Sequence, residues 1–202
     1  QIYPKDPHFD RELREGTRKF TDKGTWDRVL TMYTGLYEDG YMDPESMNLT
    51  SSEARKKLVQ RGAAMIFVST GEARGLVTDG ADTGDQFGLM PLPANDRGEM
   101  TYWSIGEIGG VGMYAGSAYP EACRKVLEKE FWKDLLSPEQ TEDKYLEEVK
   151  KAYDSGDYFY LCNQGWLNEV EIVMEKKLAE YVTGKRIEIR DITQAMQREL
   201  ER

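Results

Sequence analysis

The chain has 202 residues, enough for one large or two small domains with a real core, and its 39% hydrophobic and 32% charged residues are an ordinary balance for a wet surface. No apolar run approaches the about 20 residues needed to span a bilayer. The longest, 63–68, is strand-sized. The net charge of −10 argues against a nucleic-acid partner, because phosphate binding needs clustered Lys and Arg.

The spacing predicts a first helix over 25–38. Thr25 can cap it, and Trp26, Val29, Leu30, Tyr33, Leu36 and Tyr37 recur at three-and-four spacing before Gly40 ends it. Thr50-Ser51-Ser52-Glu53 has the spacing of a capping box and announces a second helix, which stops before Gly62. Residues 63–68 are apolar throughout, a pattern that suits a strand covered on both faces. The stretch 69–75 then breaks it with two glycines.

A second strand is expected over 86–90, ended by Pro91-Leu92-Pro93. A third is expected over 110–115, after a glycine-rich run. Pro120 suits the first turn of the next helix, along which Cys123, Leu127, Phe131 and Leu135 recur every four residues. Ser137-Pro138-Glu139-Gln140 stops that helix and caps another. Residues 153–165 read as irregular. A long helix follows, with Trp166, Val170, Val173, Met174, Leu178 and Tyr181 as its stripe, ending at Gly184. The last helix spans 188–201 and uses Ile189, Ile192, Ala195, Met196 and Leu200. Alternating helix and strand gives an α/β class, with helices flanking a small mixed sheet.

The single histidine, His8, and the two cysteines, Cys123 and Cys162, offer no close cluster of ligands, so neither a metal nor another cofactor is expected. The cysteines are either bridged or two buried thiols; spacing leaves both open. The chain opens at Gln1 in a polar stretch that reads as mid-protein, so a longer precursor with an upstream signal or lipid anchor is expected.

Four stretches resemble the extracellular solute-binding proteins of the sugar-binding type, which include the maltose-binding proteins. Residues 36–44 (Leu-Tyr-Glu-Asp-Gly-Tyr-Met-Asp-Pro) resemble the helix end where a leucine precedes a glycine-aromatic pair and a proline. Residues 60–65 (Gln-Arg-Gly-Ala-Ala-Met) resemble a basic-glycine turn feeding an Ala-Met strand. Residues 109–115 with 117–122 resemble the glycine-rich strand and the following helix start. Residues 178–200, with Thr183-Gly184 between two helices, resemble the C-terminal pair. Together they cover nearly the whole chain.

The resemblance implies a periplasmic-binding-protein-like (type II) lobe of an incomplete two-lobe protein. It places 1–104 in the first part of the C-terminal lobe, 105–155 in a return segment toward the N-terminal lobe, and 156–202 in the closing helices. It also implies a location outside the cytoplasm, extracellular or periplasmic, with membrane anchoring through an upstream region. The return segment carries an apolar helix face that needs a partner, so it is expected either to fold back onto the C-terminal lobe or to pair with a second copy of this chain.

Sugars present faces of C–H bonds that stack on aromatic rings, and hydroxyls that pair with polar groups. Three groups of residues are candidates for such a site. The first is the loop Ser69, Thr70 and Glu72, beyond the carboxyl end of the Ala-Met strand. The resemblance implies a tryptophan there; Glu72 stands near its place and favours a ligand rich in hydroxyls or carrying a cation. The second is Trp103 with Glu107, beside glycines that let a backbone approach a ligand. The third is Trp166, with Tyr160, Asn163 and Gln164 upstream. Each has a plainer reading: an exposed turn for the first, core packing for the two tryptophans. Trp26 and Trp132 lie in helical stripes and read as core.

The resemblance implies reversible capture of a small solute, a sugar or oligosaccharide, for delivery to the membrane permease of an ABC importer. No covalent step is expected. The alternatives are a glycoside-acting enzyme with Glu72 and Glu107 as paired carboxylates, or a ligand-free structural or sensory module. Against the enzyme, 37 acidic residues make chance pairs cheap, and no Ser-His-Asp or Gly-x-Ser-x-Gly arrangement occurs.

Overall fold

A computed structural model describes residues 2–80, 83–106, 113–127, 144–160, 166 and 168–202. It describes the side chains of all of these but Arg74, Val77, Leu127, Lys144, Tyr145, Leu146 and Tyr160. The elements run α1 (Phe9–Arg14), α2 (Trp26–Glu38), a 3-10 turn (Pro44–Asn48), α3 (Ser51–Val59), α4 (Thr70–Asp79), β1 (Trp103–Ile105), α5 (Pro120–Leu127), α6 (Lys144–Ser155), β2 (Tyr158–Tyr160), α7 (Asn168–Val182) and α8 (Ile189–Leu200). The fold is mixed and helix-rich, consistent with an α/β class, and its described sheet has two parallel strands.

The core forms where the two ends of the chain meet. Helices α7 and α8 pack as a hairpin, and α2 lies across both. Gly184 closes the hairpin with φ +84°, a conformation that costs glycine little. Phe9 and Leu13 of α1, Phe20, Leu30 of α2, Val170 and Leu178 of α7, and Ile192 and Met196 of α8 form one buried cluster. Leu30, Val170, Leu178, Ile192 and Met196 are stripe positions of the expected helices, whereas Phe9, Leu13 and Phe20 come from a stretch with no expected helix. The Phe20 amide donates to the Gln197 side-chain carbonyl at 2.8 Å, pinning the approach to α2 onto α8.

Capping starts the middle helices. Thr50 and Glu53 form the expected capping box of α3, the Glu53 amide donating to the Thr50 hydroxyl at 3.3 Å. Ser69 and Glu72 form a second such box. The 69–75 stretch is therefore the start of α4 rather than a loop: one good cap outweighs two glycines in a ten-residue helix. Helix α4 packs on α3 and α6, and Arg55 ties α3 to α4 through Asp79 at 3.1 Å.

The expected strands fall elsewhere. Residues 63–68 and 86–90 join no described sheet, and Met65 is 75% and Phe67 55% exposed. The expectation of a strand covered on both faces is thus corrected: an apolar run alone does not supply the neighbours that would cover it. Of the third expected strand, 110–112 lie outside the described residues, and 113–115 form no strand. The observed ladder pairs Trp103 with Tyr158, Ser104 with Phe159 and Ile105 with Tyr160. The two parallel strands are joined by a helical crossover containing α5 and α6.

Residues 153–165 are not uniformly irregular either. Helix α6 runs to Ser155, Gly156 turns at φ +79°, and an aromatic triplet then forms β2. Pro120 opens α5 as expected; Phe131, Trp132, Leu135 and the cap at 137–140 lie outside the described residues. Cys123 carries a free thiol, 3.6 Å from the Ser117 hydroxyl; Cys162 lies outside the described residues.

Candidate functional site

Trp166 sits just ahead of α7, which begins at Asn168 rather than at the tryptophan itself. Its ring meets Phe20 edge-on, with centroids 5.0 Å apart and planes at 85°, and meets Trp26 at 5.0 Å and 61°. Phe20 and Trp26 close the triangle at 6.0 Å and 69°. Edge-to-face pairs suit the ring quadrupoles and hold each plane firmly. Phe20 is fully buried, while Trp26 and Trp166 pack on the core with part of each side chain exposed. Trp166 therefore has both properties for which the sequence argued: it belongs to the core stripe and it keeps some surface.

A polar group lies beneath this corner. Asp10 on α1 is buried, and its Oδ1 accepts the Tyr3 hydroxyl at 2.9 Å. Tyr3 in turn stacks on Phe159 of β2, with centroids 6.2 Å apart and planes at 23°. Burial pushes the Asp10 carboxyl above the usual carboxylate range. The Tyr3 hydroxyl, the Trp166 indole and the Arg14 guanidinium pull the other way and only partly offset it. The Asp10 Oδ2 and the indole nitrogens of Trp26 and Trp166 are buried without a partner in hydrogen-bond geometry. The corner thus presents a partly exposed aromatic surface, while its two indole N–H donors and the second Asp10 oxygen lie inside it, away from solvent.

The Ser69, Thr70 and Glu72 group has a different setting. The Ser69 hydroxyl accepts the Glu72 amide at 3.3 Å, and the Glu72 carboxylate accepts the Ser69 amide at 3.4 Å. The Ser51 hydroxyl of α3 donates to the same carboxylate and is the main reason it lies below the usual range, with Arg55 and Ser69 adding to it. Glu72 therefore joins the starts of α3 and α4.

Trp103 is partly buried on β1, where its amide donates to the Asp157 carbonyl at 3.0 Å. Tyr160 is in β2 opposite Ile105. Glu107, Asn163 and Gln164 lie outside the described residues. The ladder links the Trp103 and Tyr160 segments, and Phe159 links β2 to Tyr3 and so to the Trp166 corner. Glu72, by contrast, is bonded to Ser51 and Ser69 at the α3–α4 junction.

Two surface hollows lie elsewhere. One, of about 370 Å³, is lined by Leu13, Arg14, Arg18 and Gln197; the other, of about 510 Å³, by Leu58, Arg61, Ala63 and Phe87.

Sequence reasoning passed over Asp10, Tyr3 and Phe159. Asp10 stands in the charged run Asp-Arg-Glu-Leu-Arg-Glu, where nothing marks it as the buried acid. The only available signal is its place beside Phe9 and three residues before Leu13, on the inner side of a short helix. Among the described residues no three His, Cys, Asp or Glu side chains are grouped to hold a metal ion, and no helix is long and apolar enough to cross a membrane. Compared with family models and with curated proteins, the chain matches none.

Proposed function

We propose that this chain is a lobe of an extracellular solute-binding protein of the sugar-binding, type II kind, capturing a small carbohydrate for the permease of an ABC importer. The order of the four family-like stretches supports the reading. So does a core that joins the first and last segments of the chain. The observation that carries it is the Trp166 corner: a partly exposed indole held by Phe20 and Trp26, beside a buried carboxylate. Trp103 on β1 is a second partly exposed ring for the same task.

In this reading a sugar ring lies against the exposed part of Trp166, and binding is reversible. The protein works outside the cytoplasm, anchored through a region upstream. The exposed Met65, Phe67, Met90 and Leu92 support self-association of the isolated lobe. The rival glycosidase reading is weakened at Glu72. There the carboxylate is already engaged, bonded to the Ser51 hydroxyl and to the Ser69 amide in the capping box of α4.

Calorimetry on the two-lobe protein containing this chain tests the proposal. A carbohydrate among a panel of mono- and oligosaccharides is expected to bind at micromolar affinity or better, about −8 kcal/mol. Heat only with amino acids or peptides refutes it.

A further inference from the structure

Two complementary orphans lie side by side under the aromatic corner. Asp10 is 5% exposed, and only one of its oxygens, Oδ1, has a partner, the Tyr3 hydroxyl at 2.9 Å. Oδ2 has none, and neither has the buried indole N–H of Trp166. The two groups are close enough for the indole to act on the carboxyl. A buried acceptor and a buried donor are each costly when left unpaired, and one hydrogen bond between them would satisfy both.

The wider setting leaves few other partners for them. Phe20 and Trp26 lie edge-to-face with Trp166, Phe159 stacks on Tyr3, and the Trp26 indole N–H is a third buried group without a partner. The groups acting on the carboxyl are the Tyr3 hydroxyl, the Trp166 indole and the Arg14 guanidinium of α1. Arg14 acts through its charge and Tyr3 donates to Oδ1, while the indole acts on the carboxyl without reaching hydrogen-bond geometry.

We infer that Asp10 is the positioning residue for Trp166: Oδ1 takes the Tyr3 hydroxyl, Oδ2 takes the indole N–H, and the carboxylate so fixes the plane of the ring ahead of α7. A hydrogen bond to an ionised acceptor is among the stronger ones available to an indole. It joins the start of the chain to the entry of α7, across the same corner that the rings close by packing. A ring held at one edge by a bond and at its faces by two aromatic neighbours is pre-organised for stacking, so a ligand need not order it. The inference rests on the capture reading only for that last consequence; the bond itself concerns this chain without ligand.

The test is the indole N–H resonance of Trp166 in the whole chain, identified by its loss in Trp166→Phe. In the unmodified chain this proton is expected to exchange with water at least about tenfold more slowly than in Asp10→Ala, the ratio that one charge-assisted bond supplies. Its frequency is expected to titrate with Asp10, at a pH above the ordinary aspartate range. Asp10→Asn keeps the shape but offers one acceptor where two donors converge. It should abolish that titration and unprotect either Trp166 or Tyr3. If Asp10→Ala does not fold, Asp10→Asn and Tyr3→Phe carry the test; Tyr3→Phe should leave the Trp166 proton protected.

A Trp166 resonance that neither moves nor exchanges faster in the Asp10 variants, while melting temperature falls, overturns the inference and leaves Asp10 a packing residue. The readout needs no carbohydrate. It can therefore succeed where the capture reading fails, and fail where that reading succeeds.

Discussion

Residues 63–68 and the stripe of α8 are both apolar, yet the structure treats them oppositely. On α8, Ile192 and Met196 are fully buried, because α2 and α7 cover that face. In 63–68, Met65 and Phe67 are largely exposed, and Met90 and Leu92 further on are exposed too. The difference lies in the supply of partners. A helix carries its own backbone hydrogen bonds and needs only one packed stripe, which here α7 beside it and α2 from the other end of the chain cover. An extended apolar run needs neighbours for its backbone and both its faces, and these come from distant sequence.

Breaking the packed region should have the largest effect. Phe20→Ala removes a fully buried ring that touches both Trp26 and Trp166, and should cost about 3–5 kcal/mol in denaturant unfolding. It should also disturb the fluorescence of both tryptophans. A loss as small as that of a surface change would mean the corner is not part of the cooperative core.

The capping boxes come next. Thr50→Ala and Ser69→Ala should each cost about 0.5–2 kcal/mol, measured by thermal or urea unfolding. Their effects should exceed additivity if the Ser51–Glu72 hydrogen bond couples the two helices. Strictly additive losses would show α3 and α4 to be independent.

The two regions should also differ in the sign of their pH response. Asp10 in the core is raised above its unfolded value, so its contribution is fully present below the ordinary aspartate pKa and is lost as pH rises through the raised one. Glu72 at the α3–α4 junction is lowered, so its contribution is present above the ordinary glutamate pKa and is lost as pH falls. Stability followed by denaturant midpoint between pH 3 and 7 should therefore lose its downward trend at rising pH in Asp10→Asn, and its acid loss in Glu72→Gln. Identical profiles for the two variants would contradict these assignments.

Substitutions in the exposed run should matter least for folding. Met65→Ser with Phe67→Ser should change stability by about 0.5 kcal/mol or less. Light scattering should show the same pair of changes reducing self-association. A large stability loss would mean that 63–68 is covered after all.

The helical parts of the fold were legible because their signals are local. Thr50 and Glu53 form the predicted box, Gly40 and Gly184 turn where α2 and α7 end, and the stripes of α2, α7 and α8 face the core. The strands were not legible, because β1 and β2 are three residues each and owe their pairing to partners more than fifty positions away. The α4 helix was hidden by Gly71 and Gly75, although Ser69 and Glu72 carried the same signal as Thr50 and Glu53. At the candidate site Trp166 and Trp103 stood out as large rings in unusual places. Asp10 did not, since burial of one acid among many is decided by packing, not by residue type.

The exposed part of Trp166 either faces a ligand or merely edges the core. Trp166→Phe keeps an aromatic ring against Phe20 and Trp26 while removing the indole, so it separates recognition from core packing better than alanine does. On the proposed capture reading, calorimetric titration of the protein containing this chain with the best-binding carbohydrate of a panel should show this variant weakened by about 1–3 kcal/mol with a nearly unchanged melting temperature. Unchanged affinity together with a lowered melting temperature would assign Trp166 to the core alone and contradict the proposed capture site.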